Sequence, residues 1–374
     1  MNTQYNVEVK ELEEADAWKL FGMSVGGDRL DSSELHEVAR EVVKECGGLS
    51  VALVTVGKAL RNKDRTVWVD ALTQLRMSIP SRIPGIQKQV FSIKLSYDYL
   101  ESEETRHCFL LCCLFPEDFL ISKDDLLPYV WAEGIFEAIE NMNEARNRLH
   151  TVLDTLKRSS LLLNVDDDSR FECVRMHDIV RDVAIWIASH EDQHGFVVKV
   201  GSGLKEWPNI LNLRNCKRLS LMQNEINKLP EEMGCSQLRT ISLRDNRSLR
   251  EIPDGCFKGM KSLKVLDLRN TNIVSIPSSF SWLTEQLRVL HLNVVKSSLN
   301  LSLVWSMKKL EILDLSGSNI KILPQEIGGL TNLKSLDLSR NSRLIIPPKV
   351  LSRLSCLEEL HVLESFDEWE VDEG

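Results

Sequence analysis

Residues 238–253, "LRTISLRDNRSLREIP", decide the fold because they come back. The six-residue frame L-x-x-L-x-L at their head recurs as "LKVLDL" (263–268), "LRVLHL" (287–292), "LEILDL" (310–315), "LKSLDL" (333–338) and "LEELHV" (357–362). "CKRLSL" (216–221) fits the same frame one unit earlier. The last position of each unit falls at 221, 243, 268, 292, 315, 338 and 362, giving steps of 22, 25, 24, 23, 23 and 24 residues.

That is the period of a leucine-rich-repeat solenoid. In each unit the fourth and sixth residues point into a core and the residues between them point out, as strand alternation requires. The ninth position holds Asn224, Asn246 and Asn341, whose amides can satisfy backbone groups where the chain bends. Thr271 and Ser318 stand there with a single hydroxyl and should do so less completely. A second punctuation, "INKLP", "LREIP", "IVSIP", "IKILP" and "LIIPP", closes the convex side. The 287–309 unit lacks that proline and carries Val295 in place of Asn, which predicts an irregular loop. Such an array presents an open concave sheet suited to protein contacts. Its outward residues include Arg244, Asp267, Arg269, His291, Asn293, Asp314 and Asp337, a mixed-charge surface with no nucleophile–base pair. Past the last unit, Leu354, Leu357, Leu360 and Val362 face an unfinished end before an acidic tail, so the array is expected to have continued.

Composition narrows the class. The chain has 374 residues, 43% hydrophobic and 27% charged, with a net charge of −9. That is ordinary for a soluble multidomain protein and unsuited to binding polyanions as a whole. "MNTQYNVEVKELEEAD" is no signal peptide, and the longest apolar run, "FLLCCLF" (109–115), is far short of a membrane span. A cytoplasmic location follows as the expectation. The nine cysteines are odd in number and without framework spacing, which reads as reduced, buried thiols. His107, Cys108, Cys112 and Cys113 lack a second ligand pair, and no metal site is expected.

Ahead of the repeats the pattern is helical. Segments 10–24, 32–48, 49–63, 66–78, 89–100, 104–115, 123–134 and 143–160 read as helices, with "IPSRIPG" (79–85) as a linker. "LLLNV-DDDS-RFECV" then reads as two short strands around a polar turn, followed by "VRMHDIVRDVAIWIAS" (174–189). Helices plus a hairpin match a winged-helix module. Its wing tip, Asp166–Asp168, would repel phosphates, which disfavours DNA. "LLLNVDDD" mimics a Mg²⁺-holding Walker-B strand, but no GxxxxGK[ST] loop exists in the chain.

In this order the pieces resemble plant coiled-coil-type nucleotide-binding leucine-rich-repeat disease-resistance proteins. "LEEADAWKLF" (12–21), "GGLSVAL" (47–53), "CFLLCCLFPEDFLISKDDLLPYVWAEGIF" (108–136) and the Met-His-Asp of "VRMHDIVRDVA" (174–184) carry the resemblance. It implies residues 1–30 as the end of a nucleotide-binding domain, 31–85 as a helical bundle, 86–195 as the winged-helix domain and 196–374 as leucine-rich repeats. The fold class is thus multidomain: an all-α bundle with a winged-helix module, then an α/β solenoid. The family is an ADP/ATP switch in innate immunity, whose repeats read pathogen effectors or guarded host proteins and contact the protein's own nucleotide-binding domain. His177 would meet the ADP β-phosphate, Asp178 would hold the loop and Met176 would pack beneath it. Leu49 and Ser50 take the place of a Leu-Pro pair that lines the adenine. The chain starts late in the nucleotide-binding domain, without phosphate loop or Walker-B strand, and reads as truncated at both ends. No tight nucleotide binding and no enzyme activity are therefore expected. Two other readings stand beside this one. One is a stand-alone leucine-rich-repeat adaptor or decoy. The other is a thiol hydrolase pairing Cys112, Cys113 or Cys173 with His177, disfavoured because no oxyanion donors can be named.

Overall fold

The computed structural model describes residues 11–26, 30, 33–76, 87–165, 172–190, 194–208, 215–293 and 300–365. The linker at 79–85, the wing tip at 166–168, the loop around Val295 and the acidic tail lie outside them. The described helices are α1 (Glu14–Val25), α2 (Ser33–Glu45), α3 (Ser50–Leu60), α4 (Arg65–Arg76), α5 (Gln87–Asp98), α6 (Glu103–Cys112), α7 (Lys123–Glu133), α8 (Met142–Arg158) and α9 (Asp178–His190). Each of the eight expected helical segments is present within a few residues of its expected ends. The strands are β1 (Ile121–Ser122), β2 (Leu163–Asn164), β3 (Cys173–Arg175), β4 (Phe196–Val198), β5 (Arg218–Ser220), β6 (Thr240–Ser242), β7 (Val265–Asp267), β8 (Val289–His291), β9 (Ile312–Asp314), β10 (Ser335–Asp337) and β11 (Glu359–His361).

The chain forms two compact units, Met1–Phe109 with Thr151–Ile187, and Leu110–His150 with Ala188–Gly374. The 86–195 segment is thus shared between the two. In the first unit, α1 packs on α3, α2 on α4, and α3 on α5. Phe21, Leu53, Leu60 and Trp68 are sealed in its core, and the Phe21 and Trp68 rings meet edge to face at 6.0 Å. The α1–α3 crossing depends on Gly57, where an added Cβ would sit 2.8 Å from Ser24 Cβ. Glycine lets the two backbones close to that distance. β2 and β3 pair antiparallel, Leu163 opposite Arg175, as the polar-turn pattern predicted.

The second unit is built on the solenoid. β4 to β11 form one parallel sheet in sequence order. The register is direct, so Leu219, Ile241, Leu266, Leu290, Leu313, Leu336 and Leu360 stack in one row. From Leu219 to Leu336 the row is wholly buried. Each such leucine contributes about 1.5–3 kcal/mol of transfer free energy, and only stacking neighbours supply the burial. β4 is a further strand that the repeat frame missed, because "FVV" lacks the leucine signature. Pro277 and Pro324 precede short 3₁₀ turns at Ser278–Leu283 and Gln325–Gly329 on the convex side.

The asparagine expectation holds in detail. Asn246 Oδ1 accepts from Ile226 N at 3.1 Å, and its Nδ2 donates to the Leu221 and Leu243 carbonyls at 2.8 and 2.9 Å. Asn341 repeats this with Ile320 N and the Leu315 and Leu338 carbonyls. Thr271 makes one bond there, to Leu268 O. The expectation of an open concave sheet fails over β5–β8, where all three residues of every strand are buried on both faces. The cause is α7, which packs against β7 and β8.

Candidate functional site

The site grows from a capping box. Ser122 Oγ accepts from Asp125 N at 3.1 Å, and Asp125 Oδ2 accepts from Ser122 N at 3.4 Å. This starts α7 sharply and fixes the Asp125 carboxylate at its first turn. Gly134, with φ at +70°, ends the helix by donating to Trp131 O and Val130 O. Between these caps Leu126, Leu127, Pro128, Tyr129, Val130 and Ala132 are all buried. A helix apolar on all sides needs cover on all sides. The outer face of the parallel sheet supplies part of that cover.

Charge sets how α7 lies. Four arginines, Arg218, Arg244, Arg269 and Arg288, stand along the concave face at or beside β5, β6, β7 and β8. Asp125 accepts from Arg244 Nη1 at 2.5 Å and from Arg269 Nη1 at 3.3 Å. Glu133 takes a two-pronged pair from Arg218, Nε at 3.0 Å and Nη2 at 2.7 Å, and also accepts from Thr240 Oγ1 at 3.0 Å. The Glu133 and Arg218 side chains are only 2% and 9% exposed, so this is a buried pair. Between them Tyr129 Oη donates to Asp267 Oδ2 at 2.6 Å. Trp131 Nε1 donates to Glu311 Oε2 at 2.6 Å, and Arg288 Nη1 donates to the Trp131 and Ala132 carbonyls. Toward β11 the signs reverse. Arg146, on α8, donates from Nε and Nη2 to the two oxygens of Glu359 at 2.9 and 3.0 Å and also pairs with Asp124.

The electrostatics follow from that arrangement. Burial pushes the Asp125 and Asp267 carboxyls up, but Arg244 and Arg269 outweigh it, and both stay below the usual carboxylate range. Burial beside Asp267 pushes the Tyr129 hydroxyl up, so it remains a donor. His361 and Arg146, both turned to Glu359, hold its carboxyl at about 2. α7 therefore lies on the sheet as a charge-matched strap, hydrogen-bonded through ionised groups of the stronger kind.

In the first unit the Met-His-Asp residues sit where β3 gives way to α9. Met176 is buried, while His177 and Asp178 are exposed. His177 Nδ1 accepts from Ile179 N at 3.3 Å, so the ring caps its own helix. Val183 and Ile187 are buried along α9, with Val180 and Ala184 beside them, and Ile179 is half-buried. Leu49 is half-buried at the start of α3 and Ser50 is exposed. Among the described residues no hydrogen bond or ion pair links Leu49 or Ser50 to Met176, His177 or Asp178.

Comparison with known proteins places these features. A leucine-rich-repeat family model matches residues 236–294 and 308–362. The Arabidopsis thaliana disease resistance protein At4g27190 is 37% identical over 99% of this chain and 38% of its own length. Disease resistance protein RPS5 of Arabidopsis thaliana is 34% identical over 96% of this chain and 40% of its own. Disease resistance protein UNI, from the same plant, is 35% identical over 97% and 40%. The chain belongs to the disease resistance protein family. It spans about two-fifths of the length of these relatives. A solved leucine-rich-repeat protein of Leptospira interrogans aligns with 48% of the chain and 58% of its own at 22% identity and a TM-score of 0.32.

In this disease resistance chain the concave residues named from sequence divide into two groups. Arg244, Asp267 and Arg269 are bonded to α7 of the same chain. His291, Asn293, Asp314 and Asp337 have no bond to α7 among the described residues; Asn293 Nδ2 donates to Ser316 Oγ at 2.6 Å. Sequence reasoning missed Asp125, Tyr129, Trp131 and Glu133. The capping-box spacing is a local signal for Asp125, but nothing local marks a helix residue as the partner of one 85 to 180 positions later. The cysteines among the described residues form no disulfide and, except for Cys356, are buried. Burial pushes the Cys112 thiol far up and the Cys216 thiol to about 12, which keeps both protonated and poor as nucleophiles. No helix among the described residues is long and apolar enough to cross a membrane.

Proposed function

We propose that the chain is the regulatory and recognition part of a plant defence receptor, in which α7 covers the concave sheet and its release opens that sheet to a protein partner. The observation that carries this is the buried Glu133–Arg218 pair, braced by Thr240. A surface built to stay dry has no need of an ion pair; a contact built to separate gains from one, because both charges hydrate well once parted. The helices α5–α8 and the β2–β3 hairpin serve in this reading as the winged-helix module that bears the strap. The partner is an effector or a guarded host protein, met by the arginines that α7 now neutralises. The disease resistance relatives, matched over nearly the whole chain, favour this receptor over a stand-alone adaptor.

Nucleotide enters the proposal only through His177. Its Nδ1 accepts from Ile179 N, so Nε2 carries the ring proton and is free to donate to a phosphate oxygen. One exposed imidazole does not cradle a diphosphate, which needs several backbone amides and a lysine. The residues present do not fit a tight ADP site, and titration with labelled ADP should give nothing stronger than about millimolar affinity, roughly 4 kcal/mol. The receptor reading is tested in a chimera in which this chain replaces its counterpart in At4g27190. Glu133→Arg should induce defence markers without any challenge, and the unsubstituted chimera should stay silent. Silence from both, with the variant protein accumulating normally, would count against the proposal.

A further inference from the structure

The outer face of the sheet opens as it runs toward β11. Asp267, His291, Asp314, Asp337 and His361 are in-register neighbours across β7 to β11. Asp267 and His291 are buried, Asp314 and Asp337 are half-buried, and His361 is exposed. From His291 onward this column lines a cavity of about 180 Å³, within one compact unit. Leu127 and Pro128 of α7 and Met142 of α8 give that cavity an apolar wall.

Two carboxylates in the cavity lack a matching cation. Asp314 Oδ1 accepts from Ser316 N and Oγ, and Asp337 Oδ1 accepts from Ser339 N. No lysine or arginine is bonded to either among the described residues. Arg269 and Arg146 also line the cavity, but Arg269 is held by Asp267 and Asp125, and Arg146 by Glu359 and Asp124. His361 is turned to Glu359, 3.8 Å from Oε2. His291 adds an unused ring. It is 4% exposed, and neither nitrogen makes a hydrogen bond among the described residues. Its Nδ1 rests 3.4 Å from Asp314 Oδ2 in an ion-pair contact only. A buried imidazole costs free energy until something polar meets it.

An arginine side chain answers each of these features. Its planar guanidinium has donors on every edge and no acceptor. It can therefore serve carboxylates on neighbouring strands, about 4.8 Å apart, through charge-assisted bonds and still donate to a neutral imidazole. Its methylene stem suits the wall of Leu127, Pro128 and Met142. A lysine brings the same charge as a single point and spans less.

We propose that Asp314 and Asp337, with His291 behind them, receive the guanidinium of an arginine carried by a protein partner, docked on the β9–β11 end of the concave sheet. Charge complementarity selects that occupant. Leu127 and Pro128 belong to α7, so the pocket is complete only while α7 lies on the sheet, and an occupant favours that closed state. The inference rests on the receptor reading for the protein partner alone; the pocket itself does not need it.

The probe is the blocked peptide acetyl-Gly-Arg-Gly-amide, titrated into the whole chain with isotope-labelled histidine. The ring signal of His291, assigned by its loss in His291→Gln, should shift and saturate. The lysine counterpart should bind more weakly by about threefold or more. The citrulline counterpart, nearly the same shape without the charge, should give no saturating shift. Asp314→Asn and Asp337→Asn, isosteric changes at half-buried residues, should each weaken binding by about fivefold or more. Glu326→Gln, on the convex side, should leave it within about twofold. Saturating peptide should also slow amide exchange in α7. No shift at His291, an equal shift from the citrulline peptide, or binding that Asp337→Asn does not alter would overturn the pocket. Spermidine binding tighter than the arginine peptide would overturn the protein partner, and unchanged exchange in α7 would overturn the link to the closed state. The Glu133→Arg chimera reads the strap and not this pocket, so the two proposals can fail separately.

Discussion

The two faces of one sheet follow different rules. The inner face of β5–β10 is a row of leucine and isoleucine, each residue following the one before by 22 to 25 positions. The outer face of the same strands carries mixed and mostly charged chemistry. There Arg218 meets Glu133, Arg244 and Arg269 meet Asp125, and Asp267 meets Tyr129, each pair different. The inner face is non-directional burial, which tolerates any residue of the right size. The outer face is a set of specific charges and donors, which tolerates little. The difference separates two jobs of one sheet: the inner face holds the stack, and the outer face holds α7.

That contrast can be broken from either side. The largest effect is expected from Glu133→Ala, which leaves the Arg218 guanidinium buried against the strap without its carboxylate. Removing one partner of such a pair costs about 3–5 kcal/mol. Denaturant melts should show the loss, and hydrogen exchange should locate it in α7 more than in β9–β11. On the inner face, Leu313→Ala should cost about 2–5 kcal/mol through the cavity it leaves, and the loss should spread to neighbouring repeats because each stacks only on the next. An inner-face variant that loosened α7 alone would blur the distinction between the two faces.

Much of the inner face was legible from sequence. The repeat frame is local, it recurs seven times, and the asparagines at the ninth position marked the bends that Asn224, Asn246 and Asn341 now satisfy. β4 was missed because its three residues, Phe196–Val198, lack the frame and are a strand only by pairing with β5. The outer face was half legible. Arg244, Asp267 and Arg269 were marked as contact residues, but their partners Asp125 and Tyr129 were read only as part of the helix at 123–134. Pairings across 119 to 144 residues leave no periodic trace in one chain. Met176, His177 and Asp178 were found by motif, and the structure adds a local reason for His177, which caps α9.

Smaller effects sharpen the comparison. Tyr129→Phe removes one donor from Asp267 but leaves Arg269 in place, so a loss of about 1–2 kcal/mol is expected in the same melts. Acid should act on the outer face first. Glu359 is held at about 2, below its ordinary 4.5, by His361 and Arg146. Its contribution is complete above the ordinary value and is lost as pH falls from there toward 2. Asp125 and Asp267, also depressed, add losses in the same direction. Amide exchange in α7 and at the start of α8 should therefore rise across that acid range before the leucine row gives way.

The most direct measurement is a charge swap read by hydrogen exchange at the amides of α7. Glu133→Arg and Arg218→Glu should each speed exchange across Lys123–Glu133 while the β9–β11 amides keep their protection. The double variant, with the pair restored in reverse, should recover most of the lost protection. If the single variants exchange as slowly as the native chain, or the double variant is no better than either single one, the charge-matched strap is contradicted.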